Sequence, residues 1–394
     1  MRKYVKGGLL LLVIFLGLFI TGCWDYRPMA KRAYVIAIAI DQFKASESKG
    51  LDRSLQESRP KFAVTFQLPN FAQGGSGEGG GGGGDKHILF DVGASTMFEA
   101  FRRLALSAPW EPFFEHLAVI VISEEVLKGD VNLAEILDSF ERQQQMRRDI
   151  RIFITPQQAR EVIMTDMPGP QPIAFVMEGL FKEQSLGYSP SQSSLGSTAA
   201  VLHEEGDTFL PVIQTTGKML AAGGAAVFKN GRFVGKLTEE EVRATRILRD
   251  SLKSTVYDVP CSTDGTKRIV FEAESIKTKL KIEGSSGEDL RLSIYTELEG
   301  NISENQCRQP AALSRDTFRY VENEVARMVQ RDIDKILAKM RELDIDLIGL
   351  HKKTRQQNPA LARTLEADNR QFTVHAPAKV NVKVGIKATG LLND

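Results

Sequence analysis

Apolar runs that alternate between strand-like and helix-like patterns fill the stretch from His87 to Met164. The pattern predicts strands at residues 88–92, 117–122 and 150–154, separated by helices at residues 97–106, 133–143 and 157–164. Ser95 or Thr96 is expected to cap the first of these helices, with Glu99 reaching back to the cap. Strands and helices in this order bury their apolar faces only by packing helices against a sheet. The stretch therefore predicts a mixed sheet flanked by helices.

The flanking segments add further elements to this pattern. Strands are predicted at residues 34–40, 61–68 and 208–214, a helix at residues 173–186, and a connection rich in Ser and Gly at residues 189–197. Asn230-Gly231 lies between two apolar runs and predicts a type I′ hairpin over residues 225–235, because both central residues must accept positive φ. Thr238 and Glu241 then form the capping box of a following helix.

The last third of the chain combines short strands with one long helix. Strands at residues 268–274, 278–283 and 290–298 are expected to form an antiparallel meander, with a turn at residues 284–287. Apolar residues at three- and four-residue spacing predict a helix over residues 316–344 that packs on this meander, with a partner helix as the alternative. Strict alternation predicts a final strand at residues 379–386.

Breaks in these patterns divide the chain. Pro and Gly in the segment MPGPQP end the first unit, and eleven residues dominated by Gly, 74–84, predict a long loop inside it. The prediction is an α+β protein of three domains, made up as follows: a signal peptide at residues 1–22, an N-terminal α/β domain at 23–167, a middle domain at 168–252 and a C-terminal α+β domain at 253–394.

The N-terminal residues predict export and a lipid anchor. Arg2, Lys3 and Lys6 precede an uncharged apolar run over residues 7–20, which is too short for a comfortable membrane span and fits the core of a signal peptide. The run ends in Ile20-Thr21-Gly22-Cys23, which resembles a bacterial lipobox. Cys23 is therefore predicted to carry a diacylglyceryl group on its sulfur and to become the first residue after cleavage; its amine is open to a further acyl chain.

Charge and motif content exclude several classes of function. The 394 residues carry a net charge of +1, which becomes −2 without the leader, so no long-range field would collect nucleic acid. The five histidines form no metal-binding cluster, and no nucleophile elbow or phosphate-binding loop is present. Glu115-His116 is the one conceivable catalytic pair, but a buried histidine that orients a strand is the preferred interpretation. The sequence thus predicts a protein that is not an enzyme and needs no metal or cofactor.

Cys261 and Cys307 remain after the anchor cysteine is assigned. An extracytoplasmic location permits them to pair. In a meander of three strands they begin at opposite ends of the sheet, which argues against pairing, although the connection at residues 301–310 is long enough to fold back. The sequence leaves this disulfide open.

Four motifs in order resemble one known family. They are Cys23-Trp24-Asp25-x-Arg27 after the lipobox, AAVFKNGRFVGKLTEEE in the middle, the long helix running into Asp346-Leu347-Ile348-Gly349, and the closing VNVKVGIKATG. Together they resemble the Ger(x)C spore germination lipoproteins, the C subunits of germinant receptors, over essentially the whole chain that follows the leader.

The resemblance implies a non-catalytic subunit at the outer face of the cytoplasmic membrane, which is the inner membrane of the spore. Its partners would be an integral membrane A subunit and a transporter-like B subunit, which is the better candidate for holding the germinant. Trp24, Asp25 and Arg27 would be candidates for contact with those partners. Direct binding of a small molecule to this subunit is left open.

Two other classes compete with this interpretation. A solute-binding lipoprotein of a transport system would require two similar lobes around a cleft, whereas the two halves of this chain have different element patterns. A cell-envelope hydrolase would require catalytic motifs that the sequence lacks.

Overall fold

The structure, a computed structural model, describes eleven stretches of the chain. These are residues 32–44, 60–70, 87–169, 171–182, 187–190, 193–204, 206–261, 265–286, 289–307, 314–368 and 374–388. The leader, Cys23, the candidate contact residues Trp24, Asp25 and Arg27, and the Gly-rich loop 74–84 lie outside them. Among the described residues, no helix combines the length and the apolar character that crossing a bilayer requires.

The strands of the described residues are, in chain order, β1 (Arg32–Tyr34), β2 (Ala37–Gln42), β3 (Phe62–Pro69), β4 (His87–Ala94), β5 (Glu111–Phe113), β6 (Val119–Ser123), β7 (Arg151–Thr155), β8 (Thr208–Thr216), β9 (Met219–Lys229), β10 (Arg232–Leu237), β11 (Thr255–Pro260), β12 (Arg268–Glu283), β13 (Arg291–Asn305) and β14 (Ala378–Ala388).

The helices of the same residues are α1 (Met97–Ser107), α2 (Glu124–Leu127), α3 (Leu133–Glu141), α4 (Ala159–Ile163), α5 (Ile173–Lys182), α6 (Leu195–His203), α7 (Glu239–Leu248), α8 (Arg315–Leu343), α9 (Leu350–Gln357) and α10 (Pro359–Asp368). At the start of α1, Thr96 is the cap and accepts a hydrogen bond from the Glu99 N–H, while the Glu99 carboxylate accepts one from the Ser95 N–H. The capping pattern predicted for this helix is confirmed.

An eight-stranded mixed sheet organises the first two thirds of the chain, in the order β10-β9-β8-β7-β6-β2-β3-β4. Strands β2, β6, β7 and β8 run parallel, and the remaining four are antiparallel to a neighbour. The parallel connections pass through helices, as the alternating sequence pattern predicts. A separate parallel pair, β1 with β5, lies at the start of the chain.

Both faces of this sheet are covered at its centre. On one face, side chains of β2 and β6 pack with Phe101 of α1 and Phe140 of α3. On the other face, the alternate residues of the same strands pack with Val162 of α4 and Met177 of α5. Strands buried on both sides have almost continuous apolar runs, which explains the sequences AIAI in β2 and VIVI in β6.

The β9–β10 hairpin confirms the clearest turn prediction. Asn230 and Gly231 have φ values of 49° and 78°, as a type I′ turn requires. The tip of the hairpin contacts the start of α3, where the Leu133 N–H donates to the Gly231 carbonyl over 2.9 Å and the Asn132 amide donates to the Asn230 carbonyl over 3.0 Å. Helix α7 follows with the expected capping box of Thr238 and Glu241.

A four-stranded sheet, β11-β12-β13-β14, forms the second layer of the molecule. Helix α8 packs its apolar stripe on one face of it and buries Val325, Val329 and Ile336 among the strand side chains. The prediction that this stripe belongs to the core is therefore confirmed. Strand β14 joins the sheet parallel to β13 after the chain has passed through α8, α9 and α10.

The predicted three-strand meander over residues 268–298 is wrong in one respect. Residues 268–283 form a single strand, β12, which carries a bulge between Ala273 and Ser275, and the meander gains its third strand from β11. The predicted break at residues 275–277 directly follows this bulge, and a bulge absorbs one extra residue without ending the strand.

Because residues 268–283 form one strand and not two, Cys261 and Cys307 lie at the same end of the sheet. With β12 intact, the start of β12 lies beside the end of β13, and the end of β11 lies there too. Cys261 and Cys307 therefore meet at one end of the sheet and form a disulfide with their Cα atoms 5.9 Å apart. The geometric expectation against pairing is wrong.

The observed fold confirms the predicted class: an α+β protein with mixed and antiparallel sheets flanked by helices, and a long helix on the C-terminal sheet. The predicted boundary at residues 167 and 168 falls between β7 and β8, which are neighbours in the eight-stranded sheet. The division into three domains stays a prediction.

Candidate functional site

The residues that the sequence nominated for function fall into two groups. Cys23, Trp24, Asp25 and Arg27 lie outside the described residues, so their roles stay predictions. Glu115 and His116 are described and lie in an exposed turn, where the imidazole makes tilted contacts with the rings of Tyr34 and Phe113, with centroid distances of 5.4 and 5.8 Å. The expectation of a buried histidine is wrong, and aromatic packing accounts for its position.

Metal binding has no support among the residues that the structure describes, where no three His, Cys, Asp or Glu side chains come together in a way that could hold an ion. Two arrangements of polar residues remain. One is a cleft at the carboxyl edge of the eight-stranded sheet, and the other is the junction between the two sheets.

The cleft has a volume of about 370 Å³ and lies where β2 and β4 end and β3 begins. Its polar walls come from Asp41 of β2, Thr65 of β3, Asp91 of β4 and Arg160 of α4. The carboxyl edge of parallel strands is the usual place for a ligand in a sheet of this kind. Position alone therefore makes this cleft the first candidate for a small-molecule site.

Several polar side chains of the cleft already take part in hydrogen bonds or ion pairs within the protein. The Asp41 carboxylate accepts hydrogen bonds from the backbone N–H groups of Ala159 and Arg160, at 2.7 and 2.9 Å. Arg160 donates from Nε and Nη2 to the two oxygens of Asp91, at 3.0 and 3.1 Å, and Thr65 donates to the same carboxylate over 2.6 Å. These bonds hold α4 against the sheet, and they occupy the groups that a ligand or a catalytic base would need.

The junction is built around the segment Asp346-Leu347-Ile348-Gly349 that follows α8. The Asp346 carboxylate accepts from the backbone N–H groups of Leu350 and His351, both at 2.9 Å, and so caps α9. The Asp346 N–H donates to Asp207 over 2.7 Å, just before β8. Gly349 adopts a left-handed φ of 71°, which lets the chain turn from α8 into α9.

Arg249, the half-buried residue that caps the end of α7, joins the same segment. Arg249 donates from Nε to the Leu347 carbonyl, and its guanidinium lies over the Phe209 ring at 4.7 Å. Burial lowers the pKa of Arg249 to about 10, and burial raises the pKa of the nearby Asp207 carboxyl. The segment thus connects the eight-stranded sheet, helix α7 and the C-terminal helices in one polar cluster.

A second contact, which is buried, lies six residues earlier in the chain, nearly two turns away along α7. Arg243 donates from Nη2 to Asp332 of α8 over 2.8 Å, and both side chains are almost fully buried. The Arg243 guanidinium also lies 4.4 Å from the centre of the Tyr257 ring, and burial raises the pKa of that phenol. Ion pairs of this kind fix the geometry of two elements, because separating them leaves a charge buried without a partner.

Sequence reasoning did not identify this junction, although a signal for it exists. Arg243, Arg246 and Arg249 recur at three-residue spacing in α7 and at its end, so they lie near one another on the helix surface. Proteins rarely bury an arginine unless another group pairs with it. The pattern EEEVRATRILR would have identified a helix that carries cations on its packed side.

Comparison with known proteins relates the chain to one family. Residues 25–215 match the family model described as the spore germination protein N-terminal domain. Residues 223–390 match the model described as spore germination B3/GerAC like, C-terminal. The two matches meet at the turn between β8 and β9, inside the eight-stranded sheet.

Individual relatives agree with these models. The chain is 25% identical to the spore germination protein YndF of Bacillus subtilis (strain 168), covering 96% of this chain and 95% of the relative. It is 20% identical to the spore germination protein GerQC of Bacillus cereus, covering 87% and 88%. Its fold is similar to the crystal structure of the GerBC protein, with a TM-score of 0.57, 17% identity, and coverage of 89% of this chain and 96% of that one. The chain therefore belongs to the Ger(x)C family of spore germination proteins.

Proposed function

We propose that this protein is the lipid-anchored, non-catalytic subunit of a spore germinant receptor. Cys23 holds it on the outer face of the cytoplasmic membrane, where it acts with integral membrane A and B subunits in the response to small-molecule germinants. The observation that carries this proposal is the match of both family models, which together extend over nearly the whole chain.

The arrangement of the described polar groups supports a role in assembly or coupling. The carboxylates of the cleft, Asp41 and Asp91, act as acceptors in bonds that hold α4 in place. Pockets that take small ligands usually combine apolar walls with a few free polar groups, whereas the charged groups Asp41, Asp91 and Arg160 of the cleft already have partners within the protein. A solute-binding lipoprotein would need such a pocket, so the cleft favours the receptor-subunit role over that alternative.

The anchor is tested by replacing Cys23 in the chromosomal gene. Spores with Cys23→Ala should lose incorporation of a palmitate analogue into the protein, lose the protein from the inner-membrane fraction, and respond poorly to germinants. The matched control is Cys261→Ala with Cys307→Ala, which removes the other two cysteines and should leave labelling intact. Normal labelling and germination of the Cys23→Ala spores would refute the anchored-subunit role.

Ligand binding separates the proposed role from the solute-binding alternative. The purified protein should show no saturable thermal stabilisation by single amino acids, sugars or nucleosides. A ligand present at a hundredfold excess over its dissociation constant would stabilise the fold by about 2.7 kcal/mol. Such a stabilisation, lost in Arg160→Ala, would replace the coupling role with a binding role for the cleft.

A further inference from the structure

Three large apolar side chains are exposed on and just after α1. Phe98 and Leu106 are eight residues apart, which separates them by about 80° around the helix and about 12 Å along it, and their exposed fractions are 57% and 88%. Trp110 follows in the turn before β5 and is 37% exposed. Several large apolar side chains exposed on one short stretch of chain are candidates for an interaction surface. We refer to these three side chains as the α1 surface.

The α1 surface lies where the chain enters the described structure. Strand β1 is parallel to β5, and Arg32 is directly opposite Glu111, the residue after Trp110. The backbone at Arg32 is therefore one strand spacing, about 4.8 Å, from the backbone beside Trp110. A membrane anchor a short distance before Arg32 would therefore lie close to the α1 surface.

The length of the connection limits how far the anchor can be from this surface. Eight residues, Trp24 to Lys31, separate Cys23 from Arg32. Nine residue steps reach at most about 30 Å even when fully extended. A compact chain of this size is on the order of 50 Å across, so a bilayer at Cys23 faces the side of the molecule that carries β1 and β5.

The chemistry of the α1 surface suits the boundary between lipid and water. Tryptophan is favoured at that boundary, and a neighbouring leucine can enter the acyl region. The Arg102 guanidinium lies 5.3 Å from the Phe98 ring centre, where it can meet a phosphate. Arg103 is engaged by Glu99, and Glu111 is the acidic residue that adjoins Trp110.

We propose that the α1 surface contacts the membrane, with Trp110 at the boundary between lipid and water and Leu106 in the outer part of the acyl region. This inference rests on the proposed anchor at Cys23 and adds an orientation to it. The body then stands on the bilayer on its β1–β5 side, with the carboxyl edge of the eight-stranded sheet turned away.

Tryptophan fluorescence tests this orientation directly, because Trp24 and Trp110 are the only two tryptophans in the chain. The lipidated Trp24→Phe protein, purified from cells, is reconstituted into vesicles of phosphatidylcholine and phosphatidylglycerol that contain lipids brominated in the acyl chains. We expect the Trp110 emission to be quenched and shifted to shorter wavelength relative to the detergent-solubilised protein. Adding Leu106→Glu should reduce both effects.

The matched control places the single tryptophan at the opposite edge of the same sheet. β1 leads into the amino end of β2, whereas the turn after β8 lies at the carboxyl edge of the parallel strands. Met219, the first residue of β9 after that turn, is 58% exposed. The control variant combines Trp24→Phe, Trp110→Phe and Met219→Trp. We expect its tryptophan emission to be unaffected by the brominated lipids.

Flotation of the same vesicles separates the two ideas being tested. Protein that floats and shows quenching at Trp110 but not at residue 219 supports the orientation. Protein that floats with no quenching at Trp110 overturns the orientation and leaves the anchor intact. Protein that fails to float overturns the anchor and the orientation together.

Discussion

The two sheets of this protein differ in how their strands alternate. In β6 of the eight-stranded sheet every residue is buried, whereas β12 of the four-stranded sheet alternates buried and exposed residues over most of its length. The difference follows from the layers around each sheet: helices cover both faces of the first at its centre, and α8 covers one face of the second. A continuous apolar strand therefore indicates a sheet covered on both faces, whereas an alternating strand indicates a sheet covered on one face.

The uncovered face of the four-stranded sheet carries many charged residues, together with the exposed Tyr295. Lys383 of β14 pairs with Glu297 of β13, and Lys387 pairs with Glu299, both at 2.6 Å. These exposed pairs contribute little stability, because water already solvates each charge well. The pair of Arg243 and Asp332 differs from these pairs because both of its charges are buried.

The largest expected effect comes from comparing an aspartate introduced into each of the two sheets. Val121→Asp puts a carboxylate into the doubly covered strand β6 and should cost about 5 kcal/mol or more, enough to prevent folding. Lys279→Asp, on the exposed face of β12, should cost less than about 1 kcal/mol. Soluble yield and urea unfolding followed by circular dichroism measure both. Similar stabilities for the two variants would contradict the difference in coverage.

The next effect compares the buried ion pair with an exposed one. Asp332→Ala leaves Arg243 buried without its partner and should lower the free energy of unfolding by roughly 3 to 5 kcal/mol. Glu297→Ala should lower it by less than about 1 kcal/mol. Replacing both partners, as Arg243→Met with Asp332→Leu, should restore much of the loss. A double variant as unstable as Asp332→Ala would refute the desolvation argument.

The disulfide should distinguish the sheets because it lies entirely within the smaller one. Cys261 and Cys307 close a loop with a sequence separation of 46 residues, so Cys261→Ala with Cys307→Ala should cost about 2 to 4 kcal/mol. Hydrogen exchange should then become faster in β12 and β13 and stay unchanged in β6. Equal acceleration in both sheets would indicate that they unfold as one cooperative unit.

The smallest effect concerns two hairpin glycines of the eight-stranded sheet. Gly217 and Gly231 both have positive φ, but a Cβ at Gly217 meets open space, whereas one at Gly231 collides with the Asn132 amide that caps α3. Gly217→Ala should cost about 1 kcal/mol, since only backbone strain is added. Gly231→Ala should cost about 2 to 3 kcal/mol, because the cap is disturbed as well. Equal melting of the two variants would refute a role for the hairpin tip in holding α3.

The elements predicted correctly are mostly those marked by a strong local sequence signal, such as a helix cap or a tight turn. Helices α1 and α7 have capping residues with the correct spacing, and the β9–β10 hairpin has an Asn-Gly turn, so each is determined by a few adjacent residues. Helix α6 was interpreted as a connection because its Ser- and Gly-rich start suggested a loop. Its cap is a pair of serines, Ser194 and Ser197, which is a weaker signal than Thr with Glu.

Contacts between distant segments could not be predicted in this way. The partner of Asp346 is Asp207, and that of Asp332 is Arg243, and no local pattern relates the members of either pair. The cleft depends on β2 and β4 ending at one edge of the sheet, which requires the strand order to be known. The disulfide depended on whether residues 268–283 form one strand or two, and a single bulge decided that question.

The position of β14 in the chain determines the order in which the smaller sheet can be completed. Leu292 of β13 pairs with Ala378 of β14, so the inner strand waits for a partner that is synthesised after three helices. Until β14 arrives, β13 presents unpaired N–H and C=O groups from Leu292 to Asn301, and such an edge recruits strands from other chains. Strand β14 then replaces β13 as the edge of the sheet, and its lysines Lys379, Lys383 and Lys387 are of the kind that opposes pairing with another chain.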